Sequence, residues 1–370
     1  MRTVPTFATA MILGLAAGLP ARTLNAQAAA PAPAAGVQSP ASLAAAPASA
    51  VFDKAEAEAA IAELAQKLED TFVFPDVAKQ YAAMLRANLK AGNYANFTDT
   101  GAFAATVTAD LQAVHKDGHL NFRVLQPDAA ERRMRMRDES SGVIRSGWIA
   151  TDVAYIDFKG FPGNDASIAD LRKFLDEHRN AKTLIIDARH HRGGGLDEMN
   201  VLFPELFAKE TVLLDMDTRA AVARERGSPL EPEPFVRKVA APAGIFREQH
   251  YAVPAKNQGE LAKAKVYLLV SKGTGSAGEH LALALKRTHR ATLIGESTHG
   301  AGNYGMFRQI GKGFVAFIPF GRTFDPDTGE GWEAVGVKPD VEVAPDKALD
   351  EVLRRAGVKA TGDIALASLR

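Results

Sequence analysis

Residues 266–302, VYLLVSKGTGSAGEHLALALKRTHRATLIGESTHGAG, run from an apolar strand through a glycine-rich turn and a helix into a second strand. Strand–helix–strand units of this kind build α/β domains with a parallel sheet. Ser276 falls at the start of the predicted helix, where free backbone N–H groups and the helix dipole can stabilise an oxyanion. Ser276 and Glu279 also have the S-x-x-E spacing of a capping box, so helix capping is an equally concrete interpretation.

The glycines of this turn fit a second kind of site. Gly273, Gly275 and Gly278 have the G-x-G-x-x-G spacing of a dinucleotide-binding turn, and Glu296 ends the next strand. Two extra residues lengthen the turn before the first glycine, and no further strand–helix units follow. We therefore favour a hydrolase over a nucleotide-dependent dehydrogenase.

The remaining sequence alternates in the same way on both sides of this unit. Apolar patterns predict strands at 153–158, 184–187, 315–319 and 341–343, and helices at 168–179, at 200–207 and from Lys347. Three amphipathic patterns before them predict a small helical bundle, followed by a strand at 120–125. This order predicts an α/β fold with a largely parallel sheet.

The chain divides into five predicted segments. These are a signal peptide (1–26), an Ala/Pro-rich linker (27–52), an N-terminal helical bundle (53–130), an α/β core (131–350) and a C-terminal tail (351–370). Within the core, residues 210–262 carry many prolines and charges with little periodicity. That composition favours an insertion or a lid over the core.

Composition and the N-terminus restrict the location and the partners. Arg2, the apolar run 8–19 and Leu24-Asn25-Ala26 have the order of a secretory signal peptide, with an uncleaved anchor as the alternative. Lys and Arg total 44, as do Asp and Glu, so no net field attracts nucleic acid or anionic membrane. The absence of cysteine excludes disulfides, a thiolate nucleophile and Cys-ligated zinc. A periplasmic or secreted protein is expected.

Several residues are candidates to act with Ser276. Gly193–Gly195 follow a buried strand, where successive glycines can bring N–H groups up to a ligand, although glycine clusters usually mark turns. His119, between a helix and a strand, is the candidate base. His280 lies one turn after the serine and His299 lies in the loop after the second strand, so both are rival bases.

Two further motifs concern charge and metal. Glu333 lies beside Trp332, where a carboxylate can be partly buried and oriented on a catalytic group, although a surface turn is its default place. His190 and His191 suggest a metal site, but adjacent residues of an extended segment point apart and no HExxH spacing occurs. We expect neither a metal nor a cofactor.

Together these motifs resemble the tail-specific, or C-terminal-processing, serine proteases, with the tricorn core protease and interphotoreceptor retinoid-binding protein as relatives. The similarity spans roughly residues 55–343 and rests on LIIDARHHRGGG, VYLLVSKGTGSAGEHLALAL, RATLIGESTHGAG and WEAVGVKPDVEV, with DGHLNF ending the helical segment. The resemblance implies a ClpP/crotonase-like α/β core preceded by a small helical bundle. The peptide-recruiting PDZ domain of the family is absent, because residues 120–192 already hold the strand–helix–strand of the core.

The resemblance also implies a choice between two catalytic arrangements. One branch uses a Ser–Lys dyad, and Ala301 stands where that lysine would be. The tricorn-like branch uses Ser, His and Glu with an accessory Ser before the His. Ser276, His119 and Glu333 match this pattern, whereas Gly118 occupies the accessory position. Because the accessory serine is missing, the resemblance leaves open which group orients the catalytic residues at the end of the hydrogen-bond chain away from Ser276.

The resemblance therefore implies a serine peptidase that acts on peptides or unfolded proteins. Ser276 is the expected nucleophile and His119 the base, with Glu333 in support. The N–H groups of Gly194 and Ala277 are the expected oxyanion donors, with Gly193 as the alternative. The retinoid-binding relatives suggest a second interpretation, a non-catalytic binder of hydrophobic ligands. Oligomerisation is left open.

Overall fold

The computed structural model describes residues 52–126, 140–226 and 235–369. The predicted leader lies outside these residues, as does the predicted linker apart from Phe52. The described residues all belong to one compact unit. Within the described ranges, no helix has both the length and the apolar character that a membrane span requires.

Three helices form the N-terminal layer, as their amphipathic patterns predict. They are α1 (Lys54–Thr71), α2 (Pro75–Ala91) and α3 (Thr100–Val114). Asp53 and Asp99 cap the first and third helices by accepting hydrogen bonds from N–H groups three residues on. Their apolar faces form one buried cluster that also contains Ile310, Phe314 and Ile318 from the sheet beneath.

A largely parallel sheet forms the centre of the molecule and confirms the predicted fold class. Its strands are β2 (Val143–Ala150), β3 (Val153–Phe158), β4 (Thr183–Asp187), β8 (Lys265–Val270), β9 (Thr292–Gly295) and β12 (Val341–Glu342). Their order is β12-β9-β8-β4-β3-β2, and only the β2–β3 pair is antiparallel. Strands β3 and β4 are buried along their whole length, as expected when helices cover both faces.

Helices pack on both faces of this sheet. On one side lie α4 (Asp165–Glu177), α5 (Asp197–Leu206) and α7 (Ala277–Arg287), and on the other lie α8 (Ala348–Arg355) and α9 (Gly362–Ala367). Successive side chains of a strand enter opposite layers, so Leu184 and Ile186 join the first cluster and Ile185 the second.

A second sheet, which the sequence did not predict, is antiparallel throughout. It contains β1 (Asn121–Val124), β5 (Thr211–Arg219), β6 (Val236–Val239), β7 (Ile245–Ala252), β10 (Asn303–Ile310) and β11 (Phe314–Phe324). The order is β1-β11-β5-β7-β6, with β10 on the other edge of β11. The short helix α6 (Ala220–Arg226) follows β5.

Residues 210–262 are predicted to be an insertion or a lid, and the described part of that segment forms strands. Strands β5, β6 and β7 come from it and are integral to the antiparallel sheet. The polar and charged side chains that suggest a loop form hydrogen bonds with one another across the strands. Asp217 Oδ1 accepts a hydrogen bond from Arg247 Nε at 2.5 Å, and Asp215 accepts one from Gln249 at 2.9 Å.

Candidate active site

Ser276 is the N-cap residue of α7 and has an unusual backbone conformation, with φ 54° and ψ −117°. Positive φ in a residue with a side chain costs about 1–3 kcal/mol, and such strain is enriched at functional sites. The loop after β4 fixes the turn before the serine. Gly275 N–H donates to the His191 carbonyl at 2.9 Å, and the Thr274 hydroxyl donates to the Ala188 carbonyl at 2.7 Å. The strained serine therefore lies at the carboxyl ends of two adjacent parallel strands.

Glu279, in the first turn of α7, ties this serine to a second loop. Its Oε2 accepts hydrogen bonds from the N–H groups of Ser276 and Ala301, each at 2.9 Å. Its Oε1 accepts from the Thr298 hydroxyl and the Gly300 N–H, each at 2.6 Å. The capping interpretation is therefore correct for the glutamate, whose fully buried carboxylate holds the backbone of the candidate nucleophile.

The glycine segment after β4 lies directly against the serine. A Cβ atom on Gly193 would stand 2.9 Å from Ser276 Cβ, so no side chain fits there. The N–H of Gly193 donates to His191 Nδ1 at 3.1 Å. Burial lowers the pKa of His191 to about 3, so this ring is neutral and can accept. Among the described residues, the N–H groups of Gly194 and Ala277 have no hydrogen-bond partner.

His119 lies in the loop between α3 and β1. Asp117 Oδ1 accepts hydrogen bonds from the N–H groups of His119 and Leu120, both at 2.8 Å. The imidazole stacks on Phe317 with ring centroids 5.2 Å apart, and its buried Nδ1 has no partner within the described ranges. Burial lowers the pKa of His119, and the charge of Asp117 partly offsets this. The ring is therefore neutral near pH 7, as a general base must be.

Glu333 binds main chain on both sides of the site. Its Oε1 accepts from Gly118 N–H at 2.6 Å, and its Oε2 accepts from Gly302 N–H at 2.6 Å and Asn303 N–H at 2.7 Å. Burial, with a further contribution from the charge of Asp117, raises the pKa of Glu333 to about 7. This carboxyl group therefore positions the loop that carries the candidate base and forms no hydrogen bond with the ring itself.

The glycine at the accessory position has a structural cause. A Cβ atom on Gly118 would lie 2.8 Å from Ala301 Cα and 2.8 Å from the Gly300 oxygen. The backbone of the neighbouring loop thus fills the space that an accessory serine would need.

One cavity of about 550 Å³ brings four of the predicted residues together. Ser276, His119, Gly194 and Ala277 all line it, whereas Glu333 and Gly193 do not. Its wall also includes the apolar side chains of Met216, Phe320 and Trp332. A candidate nucleophile, a candidate base and two N–H donors without partners thus line one cavity, and no hydrogen bond joins Ser276 to His119 within the described residues. Acyl transfer uses groups of these kinds within reach of one carbonyl.

The two rival bases are placed differently. His280 lines the cavity, but its Nε2 is hydrogen-bonded to His250 Nδ1 at 2.9 Å, and His250 Nε2 contacts Asn200 Oδ1 at 3.1 Å. Burial lowers the pKa of His280 to about 3, which makes it a weak base. His299 is exposed and is not part of the cavity wall.

Two residues order the site in ways that the sequence did not predict. Asp117 accepts a hydrogen bond from the N–H of His119, two residues further on. Aspartate often forms such a bond in turns, and the sequence D-G-H is compatible with one. Its second oxygen accepts from Asn303 Nδ2 at 2.9 Å. His191, considered only as a metal ligand, instead supports the glycine segment. His190 beside it is exposed, and the described residues contain no group of three or more metal-ligating side chains.

Comparison with known families covers most of the chain. Residues 152–343 match the family described as peptidase family S41. Residues 42–152 match the N-terminal domain of that family in eukaryotic IRBP.

Solved structures share the fold at low sequence identity. The photosystem II D1 C-terminal processing protease has a TM-score of 0.51 and 16% identity, covering 82% of this chain and 98% of its own. A lipoprotein from Streptococcus agalactiae has a TM-score of 0.51 and 12% identity, with 81% and 95% coverage. The tricorn protease, with a TM-score of 0.51 and 15% identity, aligns with 85% of this chain over 36% of its own length.

Proposed function

The chain belongs to peptidase family S41, and we propose that it is a serine peptidase whose nucleophile is Ser276. The observation that carries the proposal is the strained serine at the start of α7, on the wall of the cavity that His119 also lines. The substrates are peptides or unfolded proteins. The leader predicted at residues 1–26 directs the enzyme to the periplasm or the exterior.

In the proposed mechanism, His119 takes the proton from Ser276 Oγ as the oxygen attacks the carbonyl carbon of a peptide bond. The tetrahedral intermediate collapses with cleavage of the C–N bond, and His119 donates the proton to the leaving amine. Water then hydrolyses the acyl-enzyme with the same base. The neutral state of the half-buried imidazole supports this role.

The developing oxyanion needs donors that are not already engaged. Gly193 N–H is bonded to His191, which favours Gly194 as one donor, and Ala277 at the start of the helix is the other. One such donor is worth about 3–4 kcal/mol in other hydrolases. Glu333 contributes by fixing Gly118, and through it the loop that carries His119.

A fluorophosphonate probe, followed by peptide mapping of the protein that starts after Ala26, tests this proposal. Labelling should be confined to Ser276 and should vanish in Ser276→Ala. His119→Ala should slow labelling by about 10²–10⁴-fold, the usual contribution of a general base, whereas His299→Ala should leave the rate unchanged. A folded protein that the probe does not label contradicts the proposal and leaves a binder of hydrophobic ligands as the interpretation.

A further inference from the structure

One carboxyl side chain stands among the described residues that line the cavity beside Ser276. It belongs to Asp197, the first residue of α5, and none of these lining residues is a lysine or an arginine. Within the described ranges, the Asp197 carboxylate has no hydrogen-bond or ion-pair partner. The adjacent Glu198 differs, because it is fully buried and accepts a hydrogen bond from Gly163 N–H at 2.9 Å. Asp197 therefore has acceptor capacity that the fold leaves unused.

Glycines make room for this carboxylate. A Cβ atom on Gly163 would lie 2.5 Å from Asp197 Oδ2, and one on Gly195 would lie 3.0 Å from the same oxygen. The carboxylate is thus packed against the segment that contains the candidate oxyanion donor, Gly194. Across the same segment, Ser276 Oγ lies 3.3 Å from the Cβ position of Gly193.

A negative charge at this place opposes the proposed reaction unless something neutralises it. The oxyanion would form at Gly194, whose neighbour Gly195 packs against the Asp197 carboxylate, in a cavity where water screens charges less than in bulk solvent. A substrate that brings a cation removes the repulsion and satisfies the unused acceptors. Lysine and arginine match this lining, because Met216 and Phe320 offer apolar surface for an aliphatic stem and Asp197 offers a carboxylate for the charged head.

We propose that Asp197 is a specificity-determining residue that selects substrates with a lysine or arginine side chain on the residue whose carbonyl is attacked. This inference rests on the proposed function of Ser276. It adds a substrate class, defined by positive charge, to that function.

The test uses two diphenyl α-aminoalkylphosphonates that differ only at the end of the side chain, an ammonium in one and a methyl group in the other. The measured quantity is the rate at which each modifies Ser276. The cationic reagent should react about ten- to a hundredfold faster, as one charge-assisted hydrogen bond predicts. Asp197→Asn should reduce this ratio to about one, and Asp197→Glu should keep a ratio above one.

Asp165→Asn is the matched control, because Asp165 also begins a helix, α4, but is exposed and lies outside the cavity wall. Its ratio should equal that of the wild type. Equal rates in the wild type, a ratio that Asp197→Asn leaves unchanged, or labelling by the fluorophosphonate alone would each overturn the role of Asp197 and leave the nucleophile intact. Failure of all three reagents to modify Ser276 would instead overturn the proposed function, and this inference with it.

Discussion

The carboxyl group of Glu333 is subject to opposing influences on its charge. Three backbone N–H donors favour the carboxylate, whereas burial and the charge of Asp117 favour the protonated acid, and together they raise the pKa from its ordinary value of 4.5 to about 7. An unfolded chain releases this proton near its ordinary value, so between pH 4.5 and 7 the folded state binds more protons. The free energy of unfolding therefore falls as pH rises through this window.

Glu333→Gln should remove this dependence. The amide has a single oxygen, so at least one backbone donor loses its acceptor, and the variant should be less stable by about 1–3 kcal/mol. The difference in the free energy of unfolding between wild type and variant should be larger at about pH 5 than at about pH 8. Only the wild type has a carboxyl group here whose protonation stabilises the folded state. Urea unfolding at both pH values measures this. Glu330→Gln, an exposed change nearby, is the control, and parallel pH profiles for wild type and Glu333→Gln would contradict the argument.

For single residues, the sequence predicts the position along a turn or strand better than it predicts the hydrogen-bond partners. Ser276 and the glycine segment follow from strand–turn patterns, because their neighbours along the chain set their backbone geometry. The partners of Glu333 could not be predicted in this way. Its carboxylate bonds Gly118, which is 215 positions away, and Gly302, which is 31 positions away. Only the assembled loops decide that it binds main chain and not the ring of His119.

Glu279 joins two elements of the fold, helix α7 and the loop at residues 298–301, through hydrogen bonds. The carboxylate accepts four hydrogen bonds and is fully buried. Two of the donors, the N–H groups of Ser276 and Ala301, share one oxygen. Glutamine would carry an NH2 group in place of one of the two carboxylate oxygens. The N–H bonds of that group would then point at backbone N–H groups.

Glu279→Gln should therefore be strongly destabilising. Two buried donors lose their acceptor, at about 1–3 kcal/mol each, so the free energy of unfolding should fall by about 2–6 kcal/mol. Labelling of Ser276 should slow as well, because the backbone of the nucleophile loses its anchor. The control is Glu296→Gln, whose half-exposed carboxylate accepts from Lys272 N–H at 3.1 Å and which should change stability by less than about 1.5 kcal/mol. Wild-type stability in Glu279→Gln would refute this role.

The elements that sequence patterns predicted well are those with a simple apolar period. Helices α1 to α3 have one buried face, and strands β4 and β8 have continuous apolar runs. Strands β5 and β7 were missed because their polar residues face one another inside the sheet. Asp217 accepts from both Arg247 and Arg322, and such pairs resemble a solvated loop when read along the chain. Cross-strand pairing is information that a linear pattern does not contain.

At the scale of the whole molecule, the candidate site joins three parts of the fold. Ser276 follows β8 of the parallel sheet, Glu333 follows β11 of the antiparallel sheet, and His119 precedes β1. Strand β1 pairs with β11, and Phe314 of β11 lies in the core of the helical layer. The position of the candidate base therefore depends on the packing of the helices against the antiparallel sheet, within a single compact unit.

Phe314→Ala should consequently weaken the entire unit and not the helical layer alone. The ring is 2% exposed, stacks on Phe122 with centroids 4.9 Å apart and meets Phe103 at 5.4 Å, so its removal should cost about 3–5 kcal/mol. Far-ultraviolet circular dichroism reports the helices of both parts, α1 to α3 included, while the fluorescence of Trp148 and Trp332 reports the α/β part alone. Both signals should shift to lower urea concentration together, whereas Phe307→Ala, at a 53% exposed position of β10, should barely move them. Separate transitions for the two signals would show that the helical layer unfolds independently, and that His119 is held by β1 alone.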